Sequence, residues 1–141
     1  MRTYNGKTYL ENAPHNTEEL LEIIKILRSP QGCSWDRAQT HESLKKCLTD
    51  ETEEVLQAID NQDDDNLCEE LGDVLLQVLL HSEIAKERGA FEFSDVVQML
   101  CEKLIRRHPH VFGDAKRPET PEEGLAMWRA VKQQEKQGAD Q

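Results

Sequence analysis

Glu51 and Glu54 stand three residues apart, and so do Glu70 and Asp73. Residues spaced i, i+3 share a helix face, so each pair sets two carboxylates side by side if its segment is helical. Residue 62 lies eight residues after Glu54 and eight before Glu70; it lies eleven after Glu51 and eleven before Asp73. In an antiparallel helical hairpin turning there, Glu54 faces Glu70 and Glu51 faces Asp73. At 1.5 Å rise per residue, the two rungs sit roughly 12 and 16 Å from the turn. The four acids then converge beside apolar Val55, Leu71 and Val74. Ionised carboxylates in such surroundings need protons or cations to neutralise them. An all-carboxylate oxygen set suits Mg²⁺, with Mn²⁺ as a substitute, and waters or substrate phosphates complete the coordination. Zinc and iron call for His or Cys, and a di-iron bundle uses Glu-x-x-His pairs; here the i+3 partners are Glu54 and Asp73. A solvated acidic face is the alternative, and the matched spacing across a short turn argues against it. Asp50 adjoins Glu51 and lies one turn before Glu54. Asp50, or Glu54 itself, is therefore the candidate general base for an attacking water.

A second constellation inverts the charge. Over residues 101–117, Lys103, Arg106, Arg107, Lys116 and Arg117 outnumber Glu102 and Asp114. Lys103 and Arg107 are i, i+4 and share a helix face. One basic patch beside a metal-type acid cluster suggests a polyphosphate ligand, some oxygens taken by Mg²⁺ and others by Lys and Arg. Cations decorating a helix C-terminus are the alternative. No P-loop, GxSxG or Cys–His nucleophile pattern occurs, so the implied chemistry is metal-assisted attack of water on phosphorus.

The elements that must carry these residues are helical. Thr17-Glu18-Glu19 opens a first helix with Leu20, Leu21, Ile23, Ile24 and Leu27 at helical spacing, stopped by Ser29-Pro30-Gln31-Gly32. Residues 29–39 read as a loop. Thr40 is the expected cap of a second helix with the stripe Leu44, Leu48, Val55, Leu56 and Ile59. Asn61-Gln62-Asp63 forms a tight turn, and the third helix runs from there to Gly89, a favourable residue just past a helix end. A fourth helix is expected from Ser94 to about Arg107, ended by His108-Pro109. Thr120-Pro121-Glu122-Glu123 is a capping box that opens a last helix through about Lys136. The class is all-α, a bundle of about five helices around a central antiparallel hairpin, with a single domain over 17–137 and tails at 1–16 and 138–141. The third helix reads VLLQVLLH at its centre, apolar almost all round. Such a helix must be covered on every side, which predicts at least a homodimer. Gln77 and His81 continue its polar stripe and read as hydrogen-bonding groups within the bundle.

Composition fits this picture. Seventeen Lys+Arg against 28 Asp+Glu give a formal net charge of −11, and aromatics make up 5%. That field repels a phosphate backbone, and few stacking platforms exist for single strands, so a nucleic-acid binder is disfavoured. The longest aliphatic runs are three residues, far short of the roughly 20 needed to span a membrane. The N-terminus has no apolar signal-type stretch. Cys33, Cys47, Cys68 and Cys101 are widely spaced with no CxxC, which points to reduced thiols and a cytoplasmic location.

Three blocks, GCSWDRAQTHESLKKCLTDETEEVLQAI, EELGDVLLQVLLHSEIA and KLIRRHPHVFGD, resemble the MazG-type nucleoside triphosphate pyrophosphohydrolases. The family's mark, ExxE, a spacer and ExxD, falls on Glu51, Glu54, Glu70 and Asp73. The resemblance covers about residues 17–137. It implies an all-α fold, dimeric or tetrameric, with Mg²⁺ on those four acids. It also implies cleavage of a nucleoside triphosphate between the α and β phosphates to a monophosphate and pyrophosphate. The KLxRRHPHVF block carries phosphate contacts onto Lys103, Arg106 and Arg107. A W-x-x-x-K pattern places Trp128 and Lys132 near the nucleotide, and Trp35, in the block resembling GCPWD, completes the candidate substrate-binding set. Ser34 stands where that motif has Pro, and Asp50-Glu51 where the family often has Glu-Glu. A relative narrowed to one deoxynucleotide, such as dUTP or dCTP, and a catalytically weak helical regulator are the alternatives.

Overall fold

The computed structural model describes residues Met1–Ala139. Seven helices occur among them: α1 (Thr17–Leu27), α2 (Ser34–Ala38), α3 (Lys45–Asp60), α4 (Asp64–Glu87), α5 (Phe93–Arg107), α6 (Pro109–Phe112) and α7 (Pro121–Ala139). The all-α class is as expected, but two helices are additional. α2 and α6 have five and four residues, too short for an apolar period to register. α2 occupies part of the span expected as a loop, and α6 begins at the proline expected to end the preceding helix. The isolated bridge Tyr4–Lys7 is the sole β pairing among the described residues. Of the expected tail at 138–141, the last two residues lie outside those described. The chain divides into two compact units, Met1–Phe93 and Ser94 onward.

In the first unit, the Asn16 side chain caps α1 by accepting from the Glu19 amide. Gly32 lies over the end of α1, where any Cβ would strike the Ile26 and Leu27 carbonyl oxygens. That approach lets the Cys33 amide donate to Leu27 O at 2.9 Å. Thr40 does not start the next helix. Its hydroxyl oxygen accepts from the Ser43 amide, residues 41–44 form a turn, and α3 begins at Lys45. The α3–α4 turn is where the sequence places it. Gln62 takes a left-handed φ of 52°, its amide donates to Ile59 O, and the Asp63 amide donates to Ala58 O. This is a Schellman closure of α3, and the Asp63 side chain at once caps α4 by accepting from the Asn66 amide. α4 closes the same way, with Gly89 at φ 73° and Ala90 N–H donating to Ala85 O.

α4 packs on α3 and on α1. The core is Ile24, Leu44, Leu79, Leu80 and Ile84, flanked by Leu20, Leu21, Leu27, Cys47, Leu76 and Phe93. Arg28, just past α1, ties this unit together. It donates to Glu87 Oε2 and Oε1 on α4 and to the carbonyls of Asp36 and Gln39 in the connection to α3. Much of the apolar pattern stays outside: Leu71, Leu75 and Val78 on α4, and Leu48, Leu56 and Ile59 on α3, are exposed. In the second unit, Thr120 Oγ1 accepts from the Glu123 amide. The returning bond of the box reaches one residue further back, from the Glu119 amide to Glu123 Oε2. No helix of the described residues is long and apolar enough to cross a membrane, and all four cysteines are free.

Candidate metal centre and cation patch

The hairpin brings the four acids together. One carboxylate oxygen from each of Glu51, Glu54, Glu70 and Asp73 lies within 4.8 Å of the others. Glu51 and Glu54 sit on α3, and Glu70 and Asp73 on α4, as the equal spacing about residue 62 requires. Glu70 is buried. Glu51 Oε2 and Glu70 Oε2 are buried with no hydrogen-bond partner among the described residues. A hydrogen bond with Glu54, burial, and the charges of Glu54, Asp73 and Glu51 push the Glu70 carboxyl up to about 7. Burial, reinforced by Asp73, Glu54 and Asp50, raises Glu51 as well. Glu54 is exposed and Glu51 and Asp73 are half-buried, so the cluster opens to solvent, while its crowded charges and two orphaned oxygens leave it short of positive charge. The oxygen-only donor set fits a hard divalent cation of the Mg²⁺ or Mn²⁺ type.

Asp50 stands outside the four-oxygen cluster. It is exposed on α3, and its carboxylate accepts from Lys46 Nζ at 3.1 Å. Gln77, one turn beyond Asp73, is buried, and its Oε1 finds no partner among the described residues, against the expectation of a satisfied group. His81 meets its expectation through a residue the sequence did not flag: its Nδ1 lies 2.7 Å from His41 Nδ1. Trp35, on α2, is 57% exposed.

In the second unit, the cations of α5 meet α7. Glu135 Oε2 accepts from Arg107 Nε at 3.2 Å and Nη2 at 3.0 Å, while Glu135 Oε1 accepts from Arg106 Nε. The Arg107 guanidinium lies 5.4 Å from the centroid of Trp128, and Lys132 Nζ lies 4.7 Å from that same centroid, both within cation–π range. Arg107, Trp128 and Lys132 are thus one cluster, with Arg106 joined through Glu135. Lys103 is half-buried on α5 and has no ion-pair partner among the described residues. Glu135 was not singled out in the sequence. A Glu seven residues after a Trp on a helix is too common a spacing to signal its role.

Comparison with known proteins gives the family of the chain. The family model described as the MazG nucleotide pyrophosphohydrolase domain matches residues 39–112, which include all four acids and the α5 cations. The chain is 57% identical over 119 residues to the nucleoside triphosphate pyrophosphohydrolase/pyrophosphatase MazG of Thermotoga maritima, covering 84% of this chain and 45% of that protein. It is 43% identical over 120 residues to the nucleoside triphosphate pyrophosphohydrolase of Escherichia coli K12, again covering 84% and 45%. The chain therefore spans under half the length of either relative. The crystal structure of a mazG-related protein from Thermotoga maritima superposes with a TM-score of 0.67 at 34% identity, covering 83% of this chain and 99% of that one. With the carboxylate hairpin in place and more than half of its length matched, the chain belongs to the MazG nucleotide pyrophosphohydrolase domain family.

Proposed function

We propose that this chain is an Mg²⁺-dependent nucleoside triphosphate pyrophosphohydrolase that hydrolyses NTPs or dNTPs between the α and β phosphates. The observation that carries the reading is the convergence of four carboxylate oxygens within 4.8 Å. Glu51, Glu54, Glu70 and Asp73 hold the cation. When bound, it supplies Lewis-acid polarisation of phosphoryl oxygens and acidifies water. Asp50, or Glu54, orients the attacking water and takes its proton. The new bond forms at the α-phosphorus, the α–β bridging P–O bond breaks, and pyrophosphate leaves. Lys103, Arg106 and Arg107 contact the departing phosphates, and Trp128, Lys132 and Trp35 contribute to nucleotide binding. The working unit is a homodimer or homotetramer of a domain spanning 17–137, acting in the cytoplasm on the nucleotide pool.

The deciding experiment is pyrophosphate release from a panel of ribo- and deoxynucleoside triphosphates, with and without Mg²⁺. Release across the panel, abolished by a chelator, is expected. Release from one base alone narrows the reading to a dedicated enzyme, such as one for dUTP or dCTP. No release from any triphosphate, with the fold intact, makes the chain a nucleotide- or partner-binding regulator instead.

A further inference from the structure

We propose that Glu135 is a positioning residue that fixes the Arg107 guanidinium by its Nε/Nη2 edge and so presents the terminal Nη1/Nη2 edge to an anion. The guanidinium is a planar fork of five N–H donors. Glu135 Oε2 accepts from Nε and from one Nη2 hydrogen, which occupies the Nε side of the fork. The guanidinium carbon lies over the Trp128 ring, 5.4 Å from its centroid. One hydrogen of Nη1 and the second hydrogen of Nη2 form the terminal edge, and no acceptor among the described residues takes them. That edge has the geometry for two parallel bonds to a phosphate or carboxylate. Arg107 is held rather than floating, with a side chain 15% exposed.

A carboxylate so close to a candidate phosphate-binding arginine has a second interpretation, as a stand-in that the phosphate must displace. The geometry opposes it. A stand-in would occupy the terminal Nη1/Nη2 edge, where an incoming anion docks most openly, whereas Glu135 takes the inner one. Glu135 is also engaged on its other oxygen by Arg106, so its removal would unpair two cations at once. The two arginines, Arg107 foremost, hold the Glu135 carboxyl below the usual carboxylate range, so it stays ionised and in place at neutral pH. Preorganisation of this kind reduces the ordering cost that an arginine otherwise meets on binding.

The inference rests on the reading of Arg107 as a phosphate contact, and the test separates the two. Binding of α,β-methylene-ATP with Mg²⁺ is measured calorimetrically for the full chain and for Arg107→Ala, Glu135→Ala, Glu135→Gln and Arg107→Ala/Glu135→Ala. Arg107→Ala is expected to weaken binding by about 10- to 150-fold, the range for a charge-assisted hydrogen bond. Glu135→Ala is expected to weaken it by roughly 5- to 10-fold, and most of that loss should vanish in the Arg107→Ala background, because Glu135 bonds Arg107 twice and Arg106 once. Glu135→Gln keeps an acceptor and the shape of the side chain and is expected to retain most of the affinity; if the Ala variant fails to fold, Glu135→Met, which fills the space without an acceptor, is expected to show the same loss and carries the test. The Nε–H resonance of Arg107 should be sharp in the wild type and lost to exchange in Glu135→Ala, which reports release of the guanidinium; the readout that a purely structural role would not move is the coupling of the two losses in nucleotide binding. Unchanged or tighter binding in Glu135→Ala, or losses that multiply in the double variant, overturn the proposal while leaving Arg107 as a phosphate contact. Unchanged binding in Arg107→Ala overturns both.

Discussion

His41 and His81 face each other through their Nδ1 atoms at 2.7 Å, their rings near-parallel with centroids 5.0 Å apart. A bond between two Nδ1 atoms needs one donor and one acceptor, so a doubly protonated pair has two donors and no bond. Burial, and secondarily His41, hold His81 below its ordinary 6.5. The unfolded chain therefore takes up a proton near 6.5 that the folded chain resists. Stability from this pair is present above that value and is lost as pH falls below it. The pair joins the turn before α3 to α4, so its loss should loosen the segment leading into the acid-bearing helix. Thermal unfolding between pH 8 and pH 5, compared with His81→Gln, checks this. The wild type should lose stability on acidification relative to the variant, and parallel curves would remove the pair as a pH-sensitive tie.

Glu70 acts in the opposite direction. In the metal-free protein its carboxyl is raised from 4.5 to about 7, so over that interval the folded state holds a proton that the unfolded state has released. Its contribution falls as pH rises from 4.5 through 7 and levels off above. Glu70→Gln is permanently uncharged. It should unfold at a higher temperature than the metal-free wild type at pH 8 and gain little at pH 5. Cation binding must expel the same proton. Calorimetric titration of Mg²⁺ in two buffers of different ionisation enthalpy should show proton release at pH 6.5 and little at pH 8.5. Removing groups that only brace metal ligands costs roughly 10- to 100-fold in affinity. Loss of a ligand charge in Glu54→Gln or Asp73→Asn should exceed that, with helicity by circular dichroism unchanged. Wild-type Mg²⁺ affinity in Glu51→Gln, Glu54→Gln, Glu70→Gln and Asp73→Asn alike would return the cluster to an acidic surface.

These two pH effects differ sharply in how far they could be read from the chain. The acid cluster was legible because all of its determinants are local: two i, i+3 pairs, a turn, and equal distances from it. Asp63 and Gly89 bounded α4 for the same reason, since caps are decided within a few residues. The His41–His81 tie spans 40 residues, and the Arg28 bonds to Glu87 span 59. No periodicity encodes such pairings, which follow only from how α1 and the turn before α3 pack on α4. Thr40 misled for an instructive reason. Its hydroxyl does accept from the amide three residues on, as a cap would, but here that bond closes a turn one step short of the helix. The fate of the α5 cations was hidden likewise, because Glu135 lies 28 residues beyond Arg107.

Asp50 and Glu54 can be told apart as candidate bases. Glu54 belongs to the four-oxygen cluster, whereas Asp50 lies outside it and is paired with Lys46 at 3.1 Å. A general base typically contributes about 10²- to 10⁴-fold. Asp50→Asn should therefore lower kcat by about 10²-fold or more while Mg²⁺ affinity stays near the wild-type value. Glu54→Gln should lose both together. Near wild-type turnover in Asp50→Asn, with a Glu54→Gln protein that still binds Mg²⁺ yet does not turn over, would assign the proton transfer to Glu54.

The exposed faces of α3 and α4 carry the oligomer prediction. Leu71, Leu75 and Val78 are 51%, 41% and 36% exposed on α4, at i, i+4 and i+7 along one stripe. Leu48, Leu56 and Ile59 add an exposed stripe on α3 at 39%, 51% and 53%. Fully burying a Leu or Ile side chain is worth about 1.5–3 kcal/mol, so covering the exposed half of each contributes on the order of 1 kcal/mol. A second copy offers the same stripes, and a two-fold arrangement would bury both sets at once. Leu75→Lys places an ammonium in that surface, and an unpaired buried charge costs several kcal/mol. It should therefore weaken self-association by roughly 10²-fold or more. Leu10→Lys, at a side chain 51% exposed in the N-terminal segment, is the control and should leave the mass unchanged. Light scattering coupled to size exclusion, run over a dilution series, reads the outcome. The wild type should hold a dimer or tetramer mass, with a melting temperature that falls on dilution, while Leu75→Lys elutes as a folded monomer. A monomeric wild type across the series, melting independently of concentration, would mean that these stripes are not closed by a second copy.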